Sequence, residues 1–300
     1  MNLATLKRRP FVIAAVAMVL TLVAVVVAFN FIGGEKKIDR RIERLHALED
    51  PRFHQELGVL LGPPFVAGNR ARVLTNGDEI FPAMLAAIRG ATTTITFETY
   101  IYWSGDIGRE FTQALADRAR AGVKVHVLLD WVGSAKMDDT LLDAMKAAGV
   151  QIYKFHPPHW SQLGRLNNRT HRKLLVVDGR IGFTGGVGIA PSWTGMAQDP
   201  EHWRDTHFQV EGPVVAQMQA VFLDNWIKVS GEVLHGPTYF PQLAAVGSSL
   251  AQMFSSSPSG GSESMQLMYL LAITAASRSI DLSRPISCPT NSPPMRWSPR

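Results

Sequence analysis

The hydrophobic period of this 300-residue chain changes several times along its length. Phe11 to Phe29 is apolar except for Thr21, and Phe31-Ile32 carry the run past Asn30. At about 1.5 Å rise per residue such a run makes a helix about 28 Å long, near the thickness of a bilayer core. A secretory signal has a shorter apolar region and a small-residue cleavage site. Residues 11–32 are therefore expected to form an uncleaved transmembrane anchor behind a basic N-terminus of residues 1–10. Residues 33–64 are expected to be a juxtamembrane segment. Within it Ile38, Ile42, Leu45 and Leu48 recur at helical spacing among charges, and Gly62-Pro63-Pro64 breaks the pattern.

From there strand and helix patterns alternate. Ile80, Phe81, Met84, Leu85 and Ile88 form a helical stripe, and Thr94–Tyr102 is a β-branched and aromatic strand. Phe111, Leu115 and Ala119 mark a second helix, and Val123–Leu129 a buried strand. Leu141, Leu142 and Met145 mark a third helix, and Val150–Phe155 a further strand. This alternation predicts an α/β fold whose sheet is mostly parallel and flanked by helices. After a polar loop (156–170), Asp178-Gly179 reads as the turn of a hairpin joining a strand up to Val177 with Ile181–Thr184. Pro213 opens a helix with Val214, Met218, Phe222 and Trp226 on one side. These elements make a domain of residues 65–246, followed by a Ser/Gly-rich linker at 247–264. Ile88, Ile95 and Phe97 are then spaced like Ile273, Ile280 and Leu282, so residues 265–283 read as the start of a second, similar unit.

The densest chemistry lies in His171-Arg172-Lys173-Leu174-Leu175-Val176-Val177-Asp178, with Gly185-Gly186 downstream. On an extended segment His171 and Lys173 point to one side. An imidazole beside a fixed positive charge suits attack on a phosphodiester, whose oxygens need neutralising. Elsewhere, His156 and His159 flank two prolines and lack the helix and third ligand of a metal site. His126 alternates within a strand and reads as a core histidine. The tryptophans at 131, 160, 193, 203 and 226 read mainly as core, with Trp160 and Trp193 near enough to the motif to line a channel. The single cysteine, Cys288, excludes an intramolecular disulfide and a zinc ribbon. A net charge of +5 suits work near anionic phosphates but fits an ordinary solvated surface as well. Lys7, Arg8 and Arg9 precede the apolar run while five basic residues follow within 36–44, a bias that favours a cytoplasmic catalytic domain.

The H-x-K-x4-D spacing with its downstream glycines resembles the signature of the phospholipase D superfamily. Glu98-Thr99-Tyr100-Ile101-Tyr102, the tract Asn167–Trp193, and His202–His207 are similar to the bacterial cardiolipin synthase branch. The likeness runs from Leu74 to Ser283, about two thirds of the chain. It implies a phospholipase D-like fold and a membrane-anchored phosphatidyltransferase of the inner membrane, with no metal or organic cofactor. Its partner is a phospholipid such as phosphatidylglycerol, nucleic acid being the weaker candidate. In the family two such signatures meet. One histidine attacks phosphorus to give a phosphohistidine, the other serves as acid and base, and the lysines hold the phosphate oxygens. By this resemblance His171, Lys173, Asp178 and Asp205 form the catalytic set, His171 as nucleophile or acid–base group and Lys173 as phosphate ligand. Asp205 would orient a histidine, though an ion pair with arginine fits it too. Asp178, at the mouth of the hairpin, suits a turn and packing carboxylate better than chemistry. Glu98 is a weaker candidate for a supporting acid. Asn167, Arg169, Thr184, Gly185 and Gly186 are expected to contact the phosphate. Gly188 stands where a common family form has Asn, which puts a side-chain hydrogen bond from that position in doubt.

The family would continue the strand near Leu282 with a run unlike the Pro- and Ser-rich residues 284–300. Codons for those residues exist that spell a family-like continuation in a shifted frame, so a frameshift is expected there. With the repeat held, a second signature histidine would fall at about position 356. The expectation for the 300-residue chain is accordingly little turnover alone. The alternatives are a hydrolase, a nuclease completing its site as a homodimer, or an inactive product with half a site.

Overall fold

The computed structural model describes residues 3–32, 43, 46–155, 169–256, 262–281 and 296–297. Helix α1 (Leu3–Ile32) contains Pro10–Val27, long and apolar enough to cross a membrane and without buried residues. Helix α2 (Pro51–Leu61), which sequence reasoning missed, has its start written in Asp50-Pro51. The Asp50 carboxylate accepts the Arg52 N–H, and Pro51 fills a first-turn position that needs no donor. Phe53, Leu57 and Leu61 form its buried stripe. Most of the amphipathic helix expected over residues 36–48 lies outside the described residues.

The chain then builds β1 (Val66–Thr75), α3 (Asn76–Gly90), β2 (Thr94–Thr99), α4 (Asp106–Arg120), β3 (Lys124–Asp130), α5 (Asp139–Ala147) and β4 (Gln151–Phe155). Beyond residue 169 follow β5 (Leu174–Val177), β6 (Ile181–Gly185), β7 (Thr206–Glu211), α6 (Val215–Ser230), β8 (Ser249–Ala251) and α7 (Ser262–Ala275). A short pair, β9 (Ile280–Asp281) with β10 (Arg296–Trp297), stands apart.

One sheet runs β4-β3-β2-β5-β6-β7-β1-β8. Only β2–β3 and β3–β4 pair in parallel, each crossover being made by a helix. The pairs β2–β5, β5–β6, β6–β7, β7–β1 and β1–β8 are antiparallel. The sheet is mixed and flanked by helices, as the phospholipase D-like resemblance implies. Its antiparallel pairs outnumber the parallel ones, so the expectation of a mostly parallel sheet is corrected in that respect. Strand β5 enters beside β2 in the opposite sense, and antiparallel pairings extend the sheet from there. Strand β8 also falls inside the stretch expected to be linker.

Alternation along the strands sorts the core into two layers. Ile95, Phe97, Val125, Val127, Leu175, Val177 and Phe183 face α3, α4 and α5, meeting Ile80, Met84, Ile88, Phe111 and Met145. Leu128, Leu174 and Val176 face α6, meeting Val215, Met218, Phe222 and Trp226. Phe111 is fully buried between Phe81 and Phe97, so its loss to Ala would cost about 3–5 kcal/mol. His126 is a core residue as expected, its Nε2 2.8 Å from the Tyr239 hydroxyl and its ring edge-on to Trp226.

Helix α7 begins and ends within a residue of where α3 would, moved 185 positions on. Its packing differs. Met84 and Ile88 are buried under the sheet, whereas Tyr269 and Ile273, at the corresponding positions, are 52% and 42% exposed. Leu271 and Ala275, on the other side, pack against Phe53, Leu57 and Leu61 of α2.

Candidate active site

The signature residues stand where several strands end together. Lys173 enters β5 beside the C-terminal end of β2, as Glu98 pairs with Leu174. Asp130 closes β3, and β6 ends at Gly185, opposite His207 of β7. Ligands of open α/β sheets gather at such strand ends.

His171 is exposed and its ring lies against Tyr100, centroids 4.8 Å apart. The Lys173 ammonium sits 5.3 Å from the same ring and donates to the His171 carbonyl at 3.0 Å. Tyr100 therefore touches both signature side chains, one by ring contact and one by cation–π attraction. Lys173 is only 8% exposed, and burial pushes its pKa down to about 8 against the pull of Asp205 and Asp130. Burial and then the Lys173 charge also push the His171 imidazole below its usual range, Asp130 opposing them. The arrangement holds a neutral, nucleophilic imidazole beside a cation near neutral pH.

The backbone around His171 is tied down on both sides. The Thr170 N–H donates to Asp130 Oδ2 at 3.0 Å, while Asp130 Oδ1 accepts from Val132 and Gly133 at 2.9 and 3.0 Å. The Thr170 hydroxyl donates to Glu98 Oε1, which also accepts from Asn225 Nδ2 at 2.7 Å. Glu98 is fully buried, and burial pushes its carboxyl above the usual range despite Arg172, Thr170 and Asn225. Arg172 points to the α6 side, where it meets the Val221 carbonyl and Asp224 at 2.8 and 2.7 Å.

Several expected site residues are placed otherwise. Asp178 lies at the far end of β5. Its carboxylate accepts the N–H groups of Thr92, Thr93 and Thr94 and the hydroxyls of Thr92 and Thr93 at 2.8–3.1 Å. Both Asp178 and Gly179 have positive φ, as the tight hairpin turn requires. This agrees with the turn and packing reading of Asp178, and the place in the catalytic set that the resemblance implied for it is corrected. Asp205 accepts from Trp193 Nε1 at 2.8 Å and the Thr206 N–H at 2.7 Å and acts electrostatically on Lys173. Asp130 acts electrostatically on His171, opposing the downward shift of its pKa. Trp193 is buried in this contact, with Trp203 edge-on at 4.7 Å, so it lines no open channel. Thr184 pairs with Leu174, whose side chain faces α6, and so points away from the face of Lys173. The Gly186 N–H donates to the Thr206 carbonyl at 3.3 Å, and a Cβ on Gly186 would lie 2.2 Å from Asp205 Oδ1. The two glycines serve close approach rather than offering free donors. A Cβ on Gly188 would lie 2.8 Å from that of Ile101, so the backbone there has no room for a side chain without a shift. Arg169 is partly buried before Thr170; Asn167, His156, His159 and Trp160 lie outside the described residues. Among the described residues no three His, Cys, Asp or Glu side chains gather as a metal site needs.

Residues 84–226 match the family described as "Cardiolipin synthase, PLD-like domain". Over those residues the chain carries a phospholipase D-like domain. Cardiolipin synthase of Geobacillus kaustophilus is 34% identical over 252 residues, covering 83% of this chain and 50% of that protein. Cardiolipin synthase A of Pseudomonas syringae pv. syringae is 35% identical over 253 residues, covering 83% and 51%. Cardiolipin synthase A of Pseudomonas fluorescens is 34% identical over 227 residues, covering 75% and 47%. The chain spans about half the length of the curated relatives it matches.

Tyr100, Asp130, Thr170 and Asn225 of this phospholipase D-like domain had no role assigned from sequence. Two of them carry a signal. Asp130 ends a strand buried from Val125 onward, and Asn225 falls on the core stripe of α6 beside Phe222 and Trp226. A polar residue on an apolar face is the mark of a buried network.

Proposed function

We propose that the chain is a phosphatidyltransferase of the cardiolipin synthase type, joining two phosphatidylglycerol molecules and releasing glycerol. The observation that carries this is the exposed His171 imidazole, held neutral beside the sequestered Lys173 ammonium. Lys173 neutralises the phosphate oxygens as charge grows on them. A His171 nitrogen attacks phosphorus, forming a P–N bond as the P–O bond to glycerol breaks. The departing oxygen takes a proton from an acid supplied by a second His–Lys pair. The hydroxyl of the second phosphatidylglycerol then gives its proton to that same group and attacks phosphorus, breaking the P–N bond and freeing His171. A second copy of this chain is a source of the second pair. Helix α1 holds the site at the lipid, with the catalytic domain on the cytoplasmic side.

The test is the full chain reconstituted with labelled phosphatidylglycerol. The expected result is slow cardiolipin and glycerol formation that rises faster than linearly with protein and is lost in His171→Ala. Phosphatidic acid as the main product would make the protein a hydrolase. Cleavage of single-stranded DNA without lipid turnover would overturn the proposal in favour of a nuclease.

A further inference from the structure

Lys173, Gly185 and His207 stand side by side at the active-site end of the sheet. His207 pairs with Gly185 on one side and Leu74 on the other, and the Leu174–Thr184 pairing sets Lys173 beside Gly185. Cross-strand neighbours project to the same face, and here the middle one has no side chain. A Cβ on Gly185 would lie 2.5 Å from His207 Nδ1. That nitrogen is therefore turned toward the gap over Gly185, whose opposite bank is Lys173. His207 is 1% exposed, and its Nδ1 has no hydrogen-bond partner among the described residues. A buried ring nitrogen left unpaired is destabilising, which calls for a use.

Burial, and then the Lys173 charge, push the His207 pKa down to about 3. The ring is thus a neutral group with a free lone pair and adds no second positive charge. The charged group that acts on it is Lys173 on the approach to β5, on which Asp205 and Asp130 act in turn. The Lys173 ammonium has three N–H donors to place, and the His171 carbonyl takes one.

We infer that His207 is a positioning residue for Lys173. The two are not hydrogen-bonded in the structure; with an anion at the site, the Nδ1 of the Nε2–H tautomer accepts from the ammonium across Gly185 and holds that charge over the phosphate. The inference rests on the reading of Lys173 as the phosphate ligand. In sequence His207 looks like one more strand residue, and the transfer reaction leaves it without a part.

The test is sulfate binding, followed calorimetrically on the full chain in detergent from pH 6 to 9.5, where sulfate keeps its charge. Wild type binds and Lys173→Met does not. His207→Leu is expected to weaken binding by about tenfold, the loss of one hydrogen bond to a charged group. It also moves the pH at which binding fades downward, because the ammonium has lost an acceptor. His207→Gln, whose amide oxygen accepts, is expected to stay within about threefold of wild type with an unshifted pH course. Gly185→Ala, which drives a methyl into Nδ1, is expected to behave like His207→Leu. Should the leucine variant fail to fold, the other two decide. Weak binding by Gly185→Ala with near-normal binding by His207→Gln supports the inference, and equal loss in both overturns it. If Lys173→Met abolishes binding while His207→Leu binds as wild type does, the inference falls alone. If Lys173→Met binds normally, the phosphate-ligand reading falls and the inference with it.

Discussion

The two ends of strand β5 carry the same sequence motif and do opposite work. At the Asp178 end, a carboxylate is met by donors from three consecutive threonines at the head of β2. At the Lys173 end, five strands or their approaches converge on a cation that among the described residues donates to one carbonyl, and on a histidine whose ring lies against Tyr100. One end is saturated and one is left open to a ligand. A motif read as one catalytic unit is therefore a structural clasp and a reactive pair joined by four buried apolar residues, Leu174–Val177. The clasp pins β5 against β2, which fixes the height at which Lys173 emerges.

Substitutions at the two ends should separate chemistry from stability. The largest expected effect is at the open end. His171→Ala should lower transfer by about three orders of magnitude or more, as loss of a nucleophile or acid–base group does. Being exposed, it should leave the denaturant midpoint within about 0.5 kcal/mol of wild type. Asp178→Ala should do the reverse. Losing an acceptor for several donors should cost about 2–4 kcal/mol in denaturant unfolding, while the folded fraction binds sulfate normally. Burial raises the Asp178 pKa, but the N–H groups of Thr94, Thr93 and Thr92 and the Thr92 hydroxyl outweigh it and hold the carboxyl below its usual range. Its contribution is thus present above the unfolded value of about 3.9 and lost as pH falls through the folded one. Asp178→Asn should remove that acid-side slope from a stability–pH curve.

A smaller effect concerns the cation itself. Anion binding should fade as pH rises through about 8, the depressed Lys173 value, and persist above it in Lys173→Arg with poorer affinity. The smallest expected change is in Glu98→Gln. Thr170 and Asn225 keep an acceptor, so stability at pH 5 should stay within about 1 kcal/mol. Because the folded pKa of Glu98 is raised, its contribution is complete below the unfolded value and lost as pH rises through the folded one. The Gln variant should lack that decline, and a melt series across pH checks it.

Much of this was legible in the residues. Hydrophobic period located α3 to α6 and β2 to β6, because each buries one continuous stripe or run. Strand directions were not, since β5 enters antiparallel through residues whose pattern carries no sense of direction. The His171–Lys173 pair could be named from spacing alone, and Asp178-Gly179 announced a turn. The partners of Asp205 were not legible, since its carboxylate accepts from Trp193 and Thr206 and acts on Lys173. Thr184 was misjudged by one step of strand alternation. Asp130 and Asn225 reach Thr170, Asn225 by way of Glu98 as well, from 40 and 55 residues away. No local pattern encodes contacts of that range.

The most direct measurement is binding of glycerophosphoglycerol, a soluble phosphodiester with the headgroup of phosphatidylglycerol, to the full chain in detergent. Wild type, Lys173→Met and Asp178→Asn are compared per folded molecule. Lys173→Met is expected to lose binding and Asp178→Asn to keep it. Equal binding by wild type and Lys173→Met, or loss with a folded Asp178→Asn, would contradict the division of the motif into a reactive end and a structural one.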